Sequence, residues 1–218
     1  SDDDYKELHK YIQNHNLSNQ EAYDYVASKV DVDEYMDYII TETFFNNTDS
    51  GNVRFWRDQN EESENSKYRW MLYDLDWGIS PSTYQWNYIE EYFNPKGHGM
   101  FSAFHTTISC GLLQNAEWKN KFIERYAWHL NNTFNPDRMD EILDTMAAEI
   151  RTEMPRHIAR WGKATMSVTS ASPSSMERWE QNLTNLKKML REKVEITKQD
   201  LQDFFNLSDA RMKELGLK

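Results

Sequence analysis

The stretch 44-FFNNTDSGNVRFWRDQNEESENSKYRWMLYDLDWG-78 decides the fold. Its first residues end an apolar helical pattern. A short polar loop follows, with Asn46, Asn47, Asp49 and Asn52. Val53 to Arg57 then alternates, with Val53 and Phe55 on one face and Arg54 and Trp56 on the other. Tyr68 to Tyr73 alternates in the same way, with Tyr68, Trp70 and Leu72 opposite Arg69, Met71 and Tyr73. Period-two alternation rich in Trp, Tyr, Phe and Val predicts a half-buried β-hairpin. The acidic, polar segment Asp58 to Ser66 between the two runs reads as its solvated turn, without a site role. In a hairpin the start of one strand lies beside the end of its partner. Asp49 and Asn52, before the first strand, are therefore expected to meet Asp74 and Asp76, after the second.

Converging Asp and Asn oxygens suit a hard divalent cation. Mg²⁺ takes octahedral oxygen ligands, commonly one or two carboxylates completed by water and phosphate. Two neighbouring acids repel, and one pKa rises unless a cation neutralises them. Asp and Asn are also ordinary turn formers and helix caps, because they bond nearby backbone. From the residues alone the two readings stand side by side.

Outward from this stretch the chain reads as helical. Upstream, Tyr5 to His15 is amphipathic, Ser18 with Glu21 reads as a capping box for Asn19 to Lys29, and Asp31 with Glu34 opens Val32 to Phe45. In that last helix Tyr35, Tyr38, Ile39 and Glu42 to Phe45 lie on or near the buried stripe. Downstream of Gly78 the chain is irregular, punctuated by Pro81, Pro95, Gly97 and Gly99, with one short helix around Trp86 to Tyr92 and with His98 on a surface loop. Helices are expected over Met100 to Leu113, Ala116 to Asn132 after an Asn115 cap, and from Pro136 to Ile150. Pro155 is expected to kink or restart the helix before His157 to Trp161. Lys163 to Ser175 reads as a mobile loop, and Ser174 with Glu177 as a cap. Separate helices follow at Met176 to Ile196, Lys198 to Phe205 and Ser208 to Leu215. Without repeats or a linker, the expectation is one domain over 1–218, mainly α with a β-hairpin (α+β).

Composition narrows the function. A net charge of -11 argues against gripping nucleic acid or an anionic membrane, which need basic patches. No apolar run is long enough for a membrane span. The single cysteine, Cys110, makes no internal disulfide or thiolate zinc site and reads as a buried small residue. The abundant aromatics, 8 Trp, 12 Tyr and 10 Phe, read mostly as core. Arg54, Arg57, Lys67 and Arg69 read as pairing across the hairpin. The chain opens on SDDDYKEL without a Met and is expected to be a fragment of a longer protein.

The runs DVDEYMDYIITETFFNNTDSGNVRFWR and KYRWMLYDLDWG resemble the CotH family, named for spore coat protein H. WKNKFIERYAWHLNNTFNPDRM, MPRHIARWG and LREKVEITKQDLQDFFNL extend the resemblance over nearly the whole chain. It implies the C-terminal lobe of a reduced, atypical protein-kinase-like fold. The implied activity is transfer of the ATP γ-phosphate to protein serine, in bacterial spore coat, secreted or surface proteins. The implied cofactors are ATP and Mg²⁺ (or Mn²⁺). The implied roles are Asp49 as the catalytic aspartate that orients the hydroxyl, Asn52 as an amide helping to hold metal, and Asp74 as the metal-binding aspartate at a strand end. Asp76 is the other candidate for that last role. The chain departs from the protein-kinase pattern in two ways. Asn52 follows Asp49 by three positions where the protein-kinase catalytic loop uses five. Ser1 to Val30 carries neither a nucleotide-covering loop nor a phosphate-pairing lysine, so this chain alone is expected to be inactive. The alternative is a non-catalytic scaffold or adhesion module of the same fold on a spore or cell surface.

Overall fold

The structure, a computed structural model, describes residues 2–49, 52–98, 101–162 and 172–218. The chain divides into two compact units, 1–128 with 196–218, and 129–195.

The first unit opens with α1 (Asp2–Asn14), α2 (Gln20–Lys29) and α3 (Val32–Phe45). Asn19, not Ser18, caps α2 and accepts the Ala22 N–H. Asp31 caps α3 as expected, accepting the Glu34 N–H at 3.3 Å. The Glu34 carboxylate does not return to the cap; it reaches across to accept the Trp70 N–H at 3.0 Å. Met36, Ile39, Ile40 and Phe44 of α3 are fully buried, which makes this helix the core of the unit. Burial of each such side chain is worth about 1.5–3 kcal/mol.

The hairpin is antiparallel but shorter than its sequence pattern. Strand β1 (Phe55–Trp56) pairs with β2 (Arg69–Trp70), Phe55 opposite Trp70 and Trp56 opposite Arg69. One further bond, Met71 N–H to Arg54 O at 2.9 Å, extends the pairing. Beyond it Asp74 takes a left-handed φ of 60° and the strand cannot continue. Leu72, placed by alternation on one face with Tyr68 and Trp70, is therefore exposed although those two are buried. Two further tertiary contacts anchor β2. Tyr68 bridges in parallel to Val30, and Arg69 bonds the Asp31 cap at 2.9 Å. Arg69 also lies over the Trp56 ring and Arg57 over the Tyr68 ring, both across the hairpin, and Arg57 pairs in addition with Asp4 on α1.

After the hairpin come α4 (Tyr88–Tyr92), a two-residue ladder of β3 (Gly97–His98) with β4 (Phe101–Ser102), and α5 (Ala103–Leu113). The expected helix start at Met100 falls outside the described residues, and nothing is described of the His98 side chain. Cys110 is half-buried and unpaired in any disulfide. Helix α6 (Ala116–Asn131) follows, capped by Asn115 through the Trp118 N–H at 3.0 Å. Trp118, Phe122 and Phe93 pack with Phe204 and Phe205 into an aromatic cluster.

The second unit holds α7 (Pro136–Ile150), α8 (Met154–Trp161) and the first part of α9 (Met176–Phe205). Asn135 caps α7, and Pro155 sits in the first turn of α8, where its missing N–H costs nothing. Ala147, Met154 and Trp179 form its core. Most of the expected loop Lys163 to Ser175 lies outside the described residues. Ser175 rather than Ser174 caps the next helix, through the Arg178 N–H. Helix α9 is continuous where two helices were expected, because no glycine or proline interrupts it. The β-branched pair Ile196-Thr197 costs only tenths of a kcal/mol, which burial of Leu201 outweighs. It is followed by α10 (Asp209–Glu214), capped by Ser208. Among the described residues no helix is long and apolar enough to cross a membrane.

Candidate functional site

The polar loop grows directly out of α3. Asn46 ends the helix at a left-handed φ of 50°, a conformation asparagine tolerates better than most residues. Its side-chain amide donates to Thr83 O at 2.6 Å and Trp86 O at 3.0 Å, which ties the segment after Gly78 to the helix end. The Asn47 N–H donates to Glu42 O at 3.2 Å. The Asn47 side-chain oxygen then accepts the Asp49 N–H at 3.1 Å, and the Asn52 N–H returns to Asp49 O at 3.2 Å. These are the local side-chain and backbone bonds expected of Asn and Asp in a turn.

The other half arrives from β2 and is fastened to the same helix end. Ile79 N–H donates to Phe45 O at 2.7 Å, and Gly78 N–H to Leu75 O at 2.9 Å. A Cβ on Gly78 would lie 2.7 Å from Phe45 O and 3.0 Å from Leu75 O, so only glycine fits this close approach. Thr48 Oγ1 donates to Trp77 O at 3.2 Å and links the two halves.

They meet at Asn52. Its Nδ2 donates to Asp49 Oδ2 at 2.8 Å and also to the Asp74 carboxylate. Asp76 joins through a side-chain hydrogen bond with Asp74. That bond, with partial desolvation and the negative charges of Asp76 and Asp49, raises the Asp74 pKa; the Asn52 amide opposes the rise. Asp49, Asn52, Asp74 and Asp76 are thus one cluster, and the short hairpin and the α3 terminus together assemble it.

The donor set fits a hard cation. Asp74 and Asp76 set carboxyl oxygens side by side, and the Asn52 amide oxygen is left outside the bonds its nitrogen makes. Among the described residues no three His, Cys, Asp or Glu side chains form a ready metal cage. Mg²⁺ does not need one, since it usually takes one or two carboxylates with water and substrate phosphate.

Beneath the turn lies a residue the sequence reading placed only on a buried stripe. Glu42 is 4% exposed, and its side chain hydrogen-bonds with Asn47, Tyr38 and Tyr92. Burial pushes its carboxyl up to about 7 against the effect of those bonds. The available signal was a lone acid among the apolar positions of α3. Beside it Tyr35, Tyr38, Val53, Trp70 and Tyr92 line a cavity of about 170 Å³, large enough for a ring-sized group. Near the hairpin Arg57 pairs with Asp4 and Arg69 with Asp31.

No curated protein and no solved structure matches the chain. A family model described as CotH kinase protein matches residues 1–196, which include every residue of this cluster. With that match extending over most of its 218 residues, the chain belongs to the CotH family.

Proposed function

We propose that the chain is the metal-binding and catalytic part of a protein serine kinase, in the role of the C-terminal lobe of a reduced kinase-like fold. Its substrates are coat or surface proteins, and its phosphate donor is ATP with Mg²⁺. The observation that carries this reading is Asn52 bonded at once to Asp49 and Asp74. One amide keeps a carboxylate suited to a hydroxyl nucleophile beside a carboxylate pair suited to metal. Asp49 orients the incoming seryl hydroxyl and accepts its proton. Asn52 keeps Asp49 aimed. Asp74, with Asp76 and the Asn52 oxygen, holds the metal. When bound, Mg²⁺ supplies positive charge to the phosphates, the main electrostatic need of phosphoryl transfer.

The second reading, a scaffold or adhesion module, draws on the exposed apolar side chains of Met71, Leu72 and Trp77 around the acids. Titration calorimetry of Mg²⁺–ATP, with a phosphotransfer assay on the natural protein containing this chain, separates the two. The kinase reading expects nucleotide binding that Asp74→Ala removes and turnover that Asp49→Ala removes. A folded protein that binds no nucleotide is a scaffold.

A further inference from the structure

Asp49 cannot act as proposed unless its turn is held still, and the bonds that hold it run back into α3. Asn47 is 3% exposed and is tied twice to Glu42. Its N–H donates to the Glu42 carbonyl at 3.2 Å, and its side chain bonds the Glu42 carboxyl. The Asn47 Oδ1 is committed to the Asp49 N–H, so the amide nitrogen is the group that faces Glu42. Tyr38 and Tyr92, both buried, complete the shell around that carboxyl from α3 and α4. A buried carboxyl is costly unless fully hydrogen-bonded. Here it is bonded by three side chains from two helices and the turn, so its position is over-determined. No step of the proposed reaction uses it.

We propose that Glu42 is a positioning residue for Asp49. Its carboxyl orients the Asn47 amide, and that amide fixes the backbone of the Asp49 turn from below. The inference rests on the role given to Asp49 above. It predicts a graded response to substitution. Glu42→Leu removes every acceptor and frees Asn47 to rotate. Glu42→Gln keeps one oxygen for the Asn47 amide, while its own amide nitrogen donates to a tyrosine oxygen. Asn47→Leu breaks the link one step nearer to Asp49.

Two readouts test it. In the ¹⁵N-labelled chain, amide exchange at Asp49 is expected to quicken about tenfold in Glu42→Leu and in Asn47→Leu, the effect of losing one ordinary hydrogen bond. Exchange in Glu42→Gln stays near that of the parent. In the natural protein, Glu42→Leu lowers kcat by about 10- to 100-fold with little change in KM for Mg²⁺–ATP, the signature of a displaced reacting group. Glu42→Gln recovers most of the loss, and the Glu42→Leu/Asn47→Leu double variant is no worse than either single one. Circular dichroism and melting confirm that each variant is folded, and Glu42→Ala, which removes the same acceptors with less bulk, serves where Glu42→Leu does not fold. Unchanged Asp49 exchange in a folded Glu42→Leu or Glu42→Ala chain overturns the proposal whether or not the protein is a kinase. Altered exchange with no phosphotransfer in the parent protein overturns the kinase reading and leaves Glu42 as the anchor of the turn.

Discussion

Asn52 bonds Asp49 on one side and Asp74 on the other, and the two sides differ in what stands behind them. The Asp49 turn is rooted in buried structure: Asn46, Asn47 and Glu42 are nearly inaccessible, and each is held by bonds to the C-terminal end of α3 or to the segment after Gly78. The Asp74 side is the exposed end of a two-residue ladder, followed by a left-handed residue and a second acid against the first. One side resists displacement because moving it strands buried polar groups. The other carries a repulsion that a cation relieves. A group that orients a nucleophile needs the first environment, and a metal ligand tolerates the second.

The sharpest way to break this comparison is to remove one acid from each side. Asp49→Ala is expected to cost phosphotransfer about 10²- to 10⁴-fold, the range for a lost general base, while Mg²⁺–ATP affinity persists. Asp74→Ala is expected to abolish metal-dependent binding. Equal loss of binding in both variants, measured by calorimetry, would show that the two sides share one role.

Stability tells the sides apart next. Phe44, fully buried just before the Asn46 cap, should cost about 3–5 kcal/mol on replacement by alanine, measured by urea denaturation. Leu72, 48% exposed beside Asp74, should cost no more than about 0.5 kcal/mol. Similar values would mean that the strand end is buried in solution.

The pH dependence follows from Glu42. Its folded pKa of about 7 lies above its ordinary value of 4.5. Between these values the folded chain keeps a proton that the unfolded chain has released. Stability from this group is therefore full below the lower value and is lost as pH rises towards 7, by roughly 3 kcal/mol at most. His9 works in the opposite sense. Burial, helped by His105, lowers its pKa to about 4, so stability from His9 falls as pH drops from 6.5 to 4. Thermal unfolding at pH 5 and pH 8 should show Glu42→Gln losing the acid-side gain and exposing the His9 slope. An unchanged pH profile would count against burial of this carboxyl.

The smaller expected effect is at the junction of the two sides. Gly78→Ala forces the Phe45 and Leu75 carbonyls apart and should cost about 1–3 kcal/mol, the usual range for overpacking. A neutral result in a melting experiment would mean that the 75–79 turn moves freely away from α3.

Much of this was legible in the residues, wherever the cause is local. The stripe of α3, the caps at Asp31 and Asn115, and the antiparallel sense of the hairpin all follow from neighbours a few positions apart. So does the meeting of Asp49 and Asn52 with Asp74 and Asp76, since a hairpin brings its two ends together. The family was legible too, from the NTD and YDLDWG runs.

What the sequence could not determine was settled by partners distant in the chain. The ladder stops after two pairs because Asp74 turns left-handed, and Arg69 reaches Asp31 as well as Trp56 because β2 docks beside the start of α3. Helix α9 runs through Thr197 because burial of Leu201 exceeds a small propensity cost. Glu42 became visible only when folding placed Asn47, Tyr38 and Tyr92 around it. Helix caps and alternation arise from bonds within a few residues and can be read along the chain. The environment of a buried acid is made by side chains from separate elements, so it exists only once those elements have packed.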